Sequence, residues 1–271
     1  MKAPGALVAA LAASACAPAL RVPRPLDELG GGVLAVASPP AAASEVDALL
    51  AAGEQGFARR PAGAAVREAQ RFFFEAARAD PARVEGLIGL ARVTVWRIEH
   101  EADPAVRGGL VGLAVGASQW CGRRAPEKPE CDYWLAIALG QQARERHATG
   151  YDGLRKMVDA LRRAAERAPE IDEGGPYRVL ALVHLRAPGW PAGPGDPESG
   201  LEEAQHAASL FPEHPANQLA LAEALRKNGR PDEARAVYGR ALELARVQAA
   251  SGHPDASEWQ DEAQRALGTD R

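Results

Sequence analysis

The chain has 271 residues, of which 46% are apolar, 5% aromatic and 25% charged, with a formal net charge of −4. A core with so few rings must be built from Ala, Leu and Val, which suits closely packed helices and disfavours a β-sandwich. The acidic balance also argues against a nucleic-acid partner, which calls for a basic surplus.

Residues 1–15 open with a basic Lys2, continue as a short apolar run over 6–13, and end in small residues directly before Cys16. The run is too short to span a bilayer, and this order of charge, apolar stretch and small residues predicts a secretory signal peptide. Ala13-Ser14-Ala15-Cys16 resembles a bacterial lipoprotein signal, which implies lipidation of Cys16; an ordinary signal peptide cut after Ala15 is the alternative. By the same resemblance, Ala17 in place of an Asp points to the periplasmic side of the outer membrane. Residues 17–42 are rich in Pro, Ala and Gly and lack a helical period. They read as a tether with a reach of about 25 to 30 Å, although the stretch GGGVLAVAS also reads as a short docked strand.

Over 43–271 the spacing predicts one domain of helical hairpins. In REAQRFFFEAARADP, Ala69, Phe73 and Ala76 share a helical face that Pro81 terminates, and Leu87, Leu90, Ala91 and Thr94 mark the next helix. Another hairpin runs from Trp134, Ile137 and Ala138 to Leu161, Ala164 and Pro169. A further one runs from Tyr177, Leu180, Ala181 and His184 through the loop APGWPAGPGDP to Ala204, Ala207 and Pro212. The clearest unit is PANQLALAEALRKNGRPDEARAVYGRALEL, residues 215–244. There Ala222 and Ala234 let two antiparallel helices approach, Gly229 permits the turn and Tyr238 fills the wedge to the next hairpin, which is the spacing of a tetratricopeptide repeat. Such a unit cannot bury both faces alone. Its recurrence at roughly 34 to 45 residues predicts an all-α solenoid of degenerate tetratricopeptide-like hairpins. Residues 254–267 predict a C-terminal capping helix, with Trp259 and Leu267 on the last hairpin.

Cys121 and Cys131 bracket the polar loop GRRAPEKPE. In an oxidising compartment they most simply form a disulfide; two separate buried thiols are the alternative. No second cysteine pair or histidine pair accompanies them, so no metal site is expected. Nor does the chain carry HExxH, a nucleophile elbow, a P-loop or a dinucleotide fingerprint, so neither an enzyme nor a cofactor is expected. Glu99, His100 and Glu101 are adjacent and point in different directions on a helix. His184 reads as a core or groove histidine. Gly108, Gly112 and Gly116 form a small-residue stripe that reads as close packing of a second helix on its neighbours. Helix 152–167 is basic through Arg155, Lys156, Arg162, Arg163 and Arg167, but Asp152 and Asp159 stand four residues before Lys156 and Arg163, the arrangement of a solvated helix.

Together with the Cys16 signal, the segments CDYWLAIALGQQA, GGPYRVLALVHLRAPGWPAGPGD and NQLALAEALRKNG look like the TatT family, the T component of TRAP transporters, over roughly residues 44 to 245. Tyr133-Trp134 with Gly140, the Gly174-Gly175-Pro176-Tyr177 start and the Ala187-Pro188-Gly189-Trp190 loop carry this resemblance. It implies a periplasmic lipoprotein with a binding role in solute uptake, whose partners are a periplasmic solute-binding protein and a small apolar or acidic solute. Projected onto this chain, it implies a groove lined by Arg92, Trp96, Leu135, Gln142, Arg178, Leu182, Arg186, Glu223, Arg226 and Lys227. A protein-interaction scaffold of an outer-membrane or secretion assembly, without a solute, is the alternative. A closed apolar pocket near Trp96 and Arg178 would favour the solute, and an open polar trough would favour a peptide or protein.

Overall fold

Prolines punctuate the chain on both sides of its helices. Pro104, Pro129, Pro197, Pro215 and Pro231 each occupy the first helical position, where a missing N–H costs nothing and the fixed φ is already helical. Pro81, Pro169 and Pro212 follow helices that end at Ala79, Arg167 and Leu210 and cannot continue them. The computed structural model describes residues 17–29 and 43–269, and among these it contains twelve α-helices and no strand.

After a short α1 (Leu26–Leu29), the helices pair as hairpins: α2 (Ala43–Ala58) with α3 (Gly63–Ala79), α4 (Glu85–Glu99) with α5 (Pro104–Arg124), and α6 (Pro129–Glu145) with α7 (Gly150–Arg167). Two more follow, α8 (Gly175–Arg186) with α9 (Pro197–Leu210) and α10 (Pro215–Lys227) with α11 (Pro231–Ala250), before the last helix, α12 (Ala256–Thr269). From α2 onward each helix packs on the next, and first helices of successive hairpins also touch, so the chain is an α-solenoid.

The repeating small and aromatic residues build the seams. Ala69, Phe73, Ala76, Ala91, Ala222, Ala234, Tyr238 and Ala241 are all buried. A Cβ added at Gly86 would stand 2.6 Å from the backbone nitrogen of Ala77, so the first turn of α4 lies directly on the backbone of α3. Trp259 and Leu267 of α12 cover a cluster that contains Leu219, Leu225 and Tyr238, which caps the last hairpin. Cys121 near the end of α5 and Cys131 at the start of α6 are joined by a disulfide with Cα atoms 5.4 Å apart. This bond fixes the turn between the second and third hairpins.

Several local expectations come out differently. Residues 17–29 are a docked strap rather than free tether: the Ala17 and Ala19 amides donate to the Ala148 carbonyl and Asp152 at 2.9 and 2.8 Å. Further along, Gln119 Nε2 and Trp120 Nε1 donate to the carbonyls of Arg21 and Arg24, both at 2.8 Å. Of the glycine stripe on α5, a single member receives this strap. Gly116 receives the Leu29 side chain, while Cβ atoms at Gly108 and Gly112 would meet nothing. Arg163 pairs with Asp132 across the hairpin instead of with Asp159 on its own helix, because the α6 carboxylate stands opposite it. Cys16, the signal residues and the GGGVLAVAS stretch lie outside the described residues.

Candidate functional site

The concave side of the solenoid is lined by first helices, and its two ends meet. Arg60, in the turn after α2, donates through Nε and a terminal nitrogen to both oxygens of Asp255, just before α12, each at 2.6 Å. The Arg60 guanidinium also lies 4.1 Å over the Phe57 ring and donates to the Phe57 carbonyl. Beside this pair, His100 at the end of α4 meets Glu258 of α12 at 2.9 Å. The superhelix therefore closes on itself across 195 residues of sequence, and the groove becomes a cavity of about 1060 Å³.

The lining is amphipathic. Phe57, Trp96, Trp134, Tyr151 and Trp259 supply rings, and Ile137, Leu154, Val179 and Leu182 supply aliphatic wall. The charged side chains among them are mostly paired: Arg92 with Glu54, and Arg186 with Glu223, each at 2.5 Å. The pairing with Glu223 raises the Arg186 pKa. Glu99 accepts from Gln141 at 2.9 Å, and desolvation between the cavity walls raises its carboxyl above the usual range. Two donors on α4, Arg92 Nε and Trp96 Nε1, are buried without a hydrogen-bond partner within the chain. Four residues apart, they sit on one helical face, and both residues line the cavity.

One end of the cavity is a rigid polar seam. Arg178 is buried and donates to Asn217 at 2.8 Å, to Asp172 at 2.6 Å and to the carbonyls of Asp172 and Glu173. The Tyr133 hydroxyl donates to the same Asp172 carboxylate at 2.7 Å. Burial, then the Asp172 charge, pushes the Tyr133 pKa well up. His214, beside them, is lowered to about 4 by burial first and by the positive charge of Arg178 second. This cluster joins the starts of α6, α8 and α10. The helix entry at Gly174, with φ at +88°, and Gly175, where a Cβ would lie 2.5 Å from the Tyr133 oxygen, exist to let it close.

Of the residues expected to face the groove, Arg92, Trp96, Arg178, Leu182 and Arg186 line the cavity, and Glu223 reaches it through Arg186. Leu135 packs into the α6–α7 core instead. Gln142 is buried and faces a second cavity of about 670 Å³ beneath the strap. On α6 the inward positions are Trp134, Ile137 and Gln141. A shift of one residue turns a helix by about 100°, so Leu135 and Gln142 fall on other faces. Arg226 and Lys227 are exposed at the far end of α10, where only the beginning of that helix, with His214 before it, reaches the lining. Arg178 is occupied by its internal partners, which makes it a staple of the fold rather than an available ligand contact. His184 is buried with Nδ1 2.7 Å from Glu203, away from the cavity. The closing residues Arg60, His100, Asp255 and Glu258 carry no local motif, and nothing in the sequence pairs them.

Among the described residues no group of three or more His, Cys, Asp or Glu side chains is placed to hold a metal, and no helix is long and apolar enough to cross a membrane.

A tetratricopeptide repeat family model matches residues 193–253. The crystal structure of TTC0263, a thermophilic TPR protein of Thermus thermophilus, superposes with a TM-score of 0.61 at 22% identity, covering 82% of this chain and 98% of that one. The crystal structure of MamA protein gives a TM-score of 0.48 at 19% identity, over 77% of this chain and 96% of that one. No curated protein matches the sequence. The chain is a TPR-like protein in fold, and such stacked hairpins make extended concave surfaces suited to protein partners.

Proposed function

We propose that this protein is an envelope lipoprotein of TatT type, held by an acylated Cys16 on the periplasmic side of the outer membrane. In this reading it holds a small solute in its cavity while associating with a periplasmic solute-binding protein of a TRAP-type uptake system. The observation that carries the solute part is closure. Arg60 and Asp255 bridge the two ends of the groove, over a cavity of about 1060 Å³ that stays open to solvent at its rim, near the upper end of the size range of small-molecule sites. Its ring-rich wall suits an apolar body, and the unpartnered Arg92 Nε and Trp96 Nε1 suit an acceptor such as a carboxylate. The role is binding and transfer rather than catalysis, and no cofactor enters it.

The test is a crosslinking pull-down from intact envelopes, with small molecules released from the cavity identified by mass spectrometry. The reading expects a solute-binding protein among the crosslinked partners and a bound acid or amphiphile that Trp96→Ala loses. Crosslinks to an outer-membrane or secretion assembly, with nothing released from the cavity, would replace it with the scaffold function for which the solenoid fold is equally suited.

A further inference from the structure

Neither Trp190 nor the strap of residues 17–29 lines the cavity, and each is attached to a connection between the two helices of a hairpin. The strap begins at the third hairpin: the Ala17 amide is bonded to the carbonyl of Ala148, in the connection between α6 and α7. The Ala19 amide is bonded to Asp152 in the first turn of α7, and Ala19 itself is buried. The described chain is therefore already docked at Ala17, so a lipid attached ahead of it is not joined to the domain by a free 26-residue leash.

The surface around that point has the composition of a membrane interface. Tyr151, in the first turn of α7, is 52% exposed, and Trp190, in the connection between α8 and α9, is 90% exposed. Both connections join the two helices of a hairpin and so lie at the same edge of the solenoid, and Tyr151, Pro188 and Ala192 contribute to the cavity's lining. Val106, 43% exposed, belongs to the adjoining hairpin, whose neighbour Arg107 is tied to Glu145 at the end of α6 at 2.6 Å. A tryptophan and a tyrosine left in water on the edge where a lipid would emerge are unfavourable for a solvated surface. They are the residues that partition to the headgroup layer. Exposed Arg146 stands among them, while the nearby carboxylates of Glu145 and Asp152 are engaged by Arg107 and by Lys156 and Arg155. What remains suits anionic headgroups.

We propose that the edge bearing Tyr151 and Trp190 rests on the membrane surface, so that the strap fixes the domain's orientation and the cavity rim opens at the lipid. This rests on the lipoprotein reading of Cys16. The full chain is purified, and its intact mass reports whether Cys16 is acylated. If the mass shows a free thiol, the anchor reading fails on that measurement, and Cys16 is coupled to a maleimide-bearing lipid so that the edge is still tested. The protein is placed in vesicles of phosphatidylethanolamine and phosphatidylglycerol containing a brominated phosphatidylcholine, and quenching of tryptophan emission is read. The wild type is expected to be quenched, Trp190→Phe to lose most of that quenching, and Tyr151→Trp in the Trp190→Phe background to regain it. Glu213→Trp in the same background, on a connection at the opposite ends of the hairpins, is expected to stay unquenched. Absence of quenching in the wild type, or equal quenching at positions 151, 190 and 213, overturns the proposal.

Discussion

Removing the Arg60–Asp255 contact tests whether the ends of this solenoid hold each other. Two charge-assisted hydrogen bonds of 2.6 Å are lost together, between side chains that are only 14% and 25% exposed. An exposed ion pair is worth at most about 1 kcal/mol. A bidentate, partly desolvated pair of this geometry is worth more, so a coupling energy of about 1.5 to 2.5 kcal/mol is expected. For a domain of this size that corresponds to roughly 4 to 8 °C in melting temperature. The assay is a double-mutant cycle of Arg60→Ala, Asp255→Ala and the pair, by urea and thermal unfolding, with small-angle scattering on each variant. Because hairpins of a solenoid contact chiefly their neighbours, the ends are held more weakly once Arg60 and Asp255 are gone, although His100–Glu258 remains. The scattering radius should therefore rise in both single variants. A coupling below about 0.5 kcal/mol with an unchanged radius would show that the ring is closed by packing alone, and the argument from this pair would fail.

Other perturbations follow from the same geometry. His214 titrates near 4 in the fold against 6.5 unfolded, so the unfolded chain binds the extra proton as pH falls. Its contribution is fully present above 6.5 and is lost as pH drops toward 4, by up to about 3 kcal/mol. His214→Gln should flatten that part of the stability curve measured by urea titration, and an unchanged slope would assign the acid sensitivity elsewhere. Gly86→Ala places a Cβ against the Ala77 backbone and should cost about 1 to 3 kcal/mol in denaturant midpoint analysis, while Gly112→Ala, facing open space, should be near neutral or stabilising. Reducing the Cys121–Cys131 bond, or Cys121→Ser with Cys131→Ser, releases a closed loop of ten residues and should lower stability by about 3 kcal/mol. Equal melting temperatures with and without reductant would contradict this. Arg178→Ala should destabilise by about 2 kcal/mol or more, through unsatisfied Asn217 and Asp172, and Trp96→Ala should alter solute binding with a smaller effect on stability.

Much of the architecture was legible in the residues because a solenoid is built from contacts close in sequence. Ala222, Ala234 and Tyr238 announce a hairpin within twenty residues of chain, and the prolines at 81, 169 and 212 mark where second helices end. The capping role of Trp259 and Leu267 follows from the same short-range logic. Which side chains face the groove was legible on α4 and α8, where Arg92, Trp96, Arg178, Leu182 and Arg186 all line the cavity, and misplaced by one position on α6. There Trp134 and Gln141 turn inward where Leu135 and Gln142 were expected, because a degenerate repeat leaves the rotation of its helix to the packing of neighbours.

The sequence alone determined the helices, their pairing and the stacking, since each rests on spacing within some forty residues. Only the tertiary structure decided that the groove closes into a cavity and that the strap lies along the glycines of α5. Closure is the sum of a small rotation at every hairpin interface, and no local pattern encodes a sum that brings Arg60 to Asp255. The strap is fixed by backbone hydrogen bonds from Ala17 and Ala19, groups that every residue carries and that leave no signature in the order of side chains.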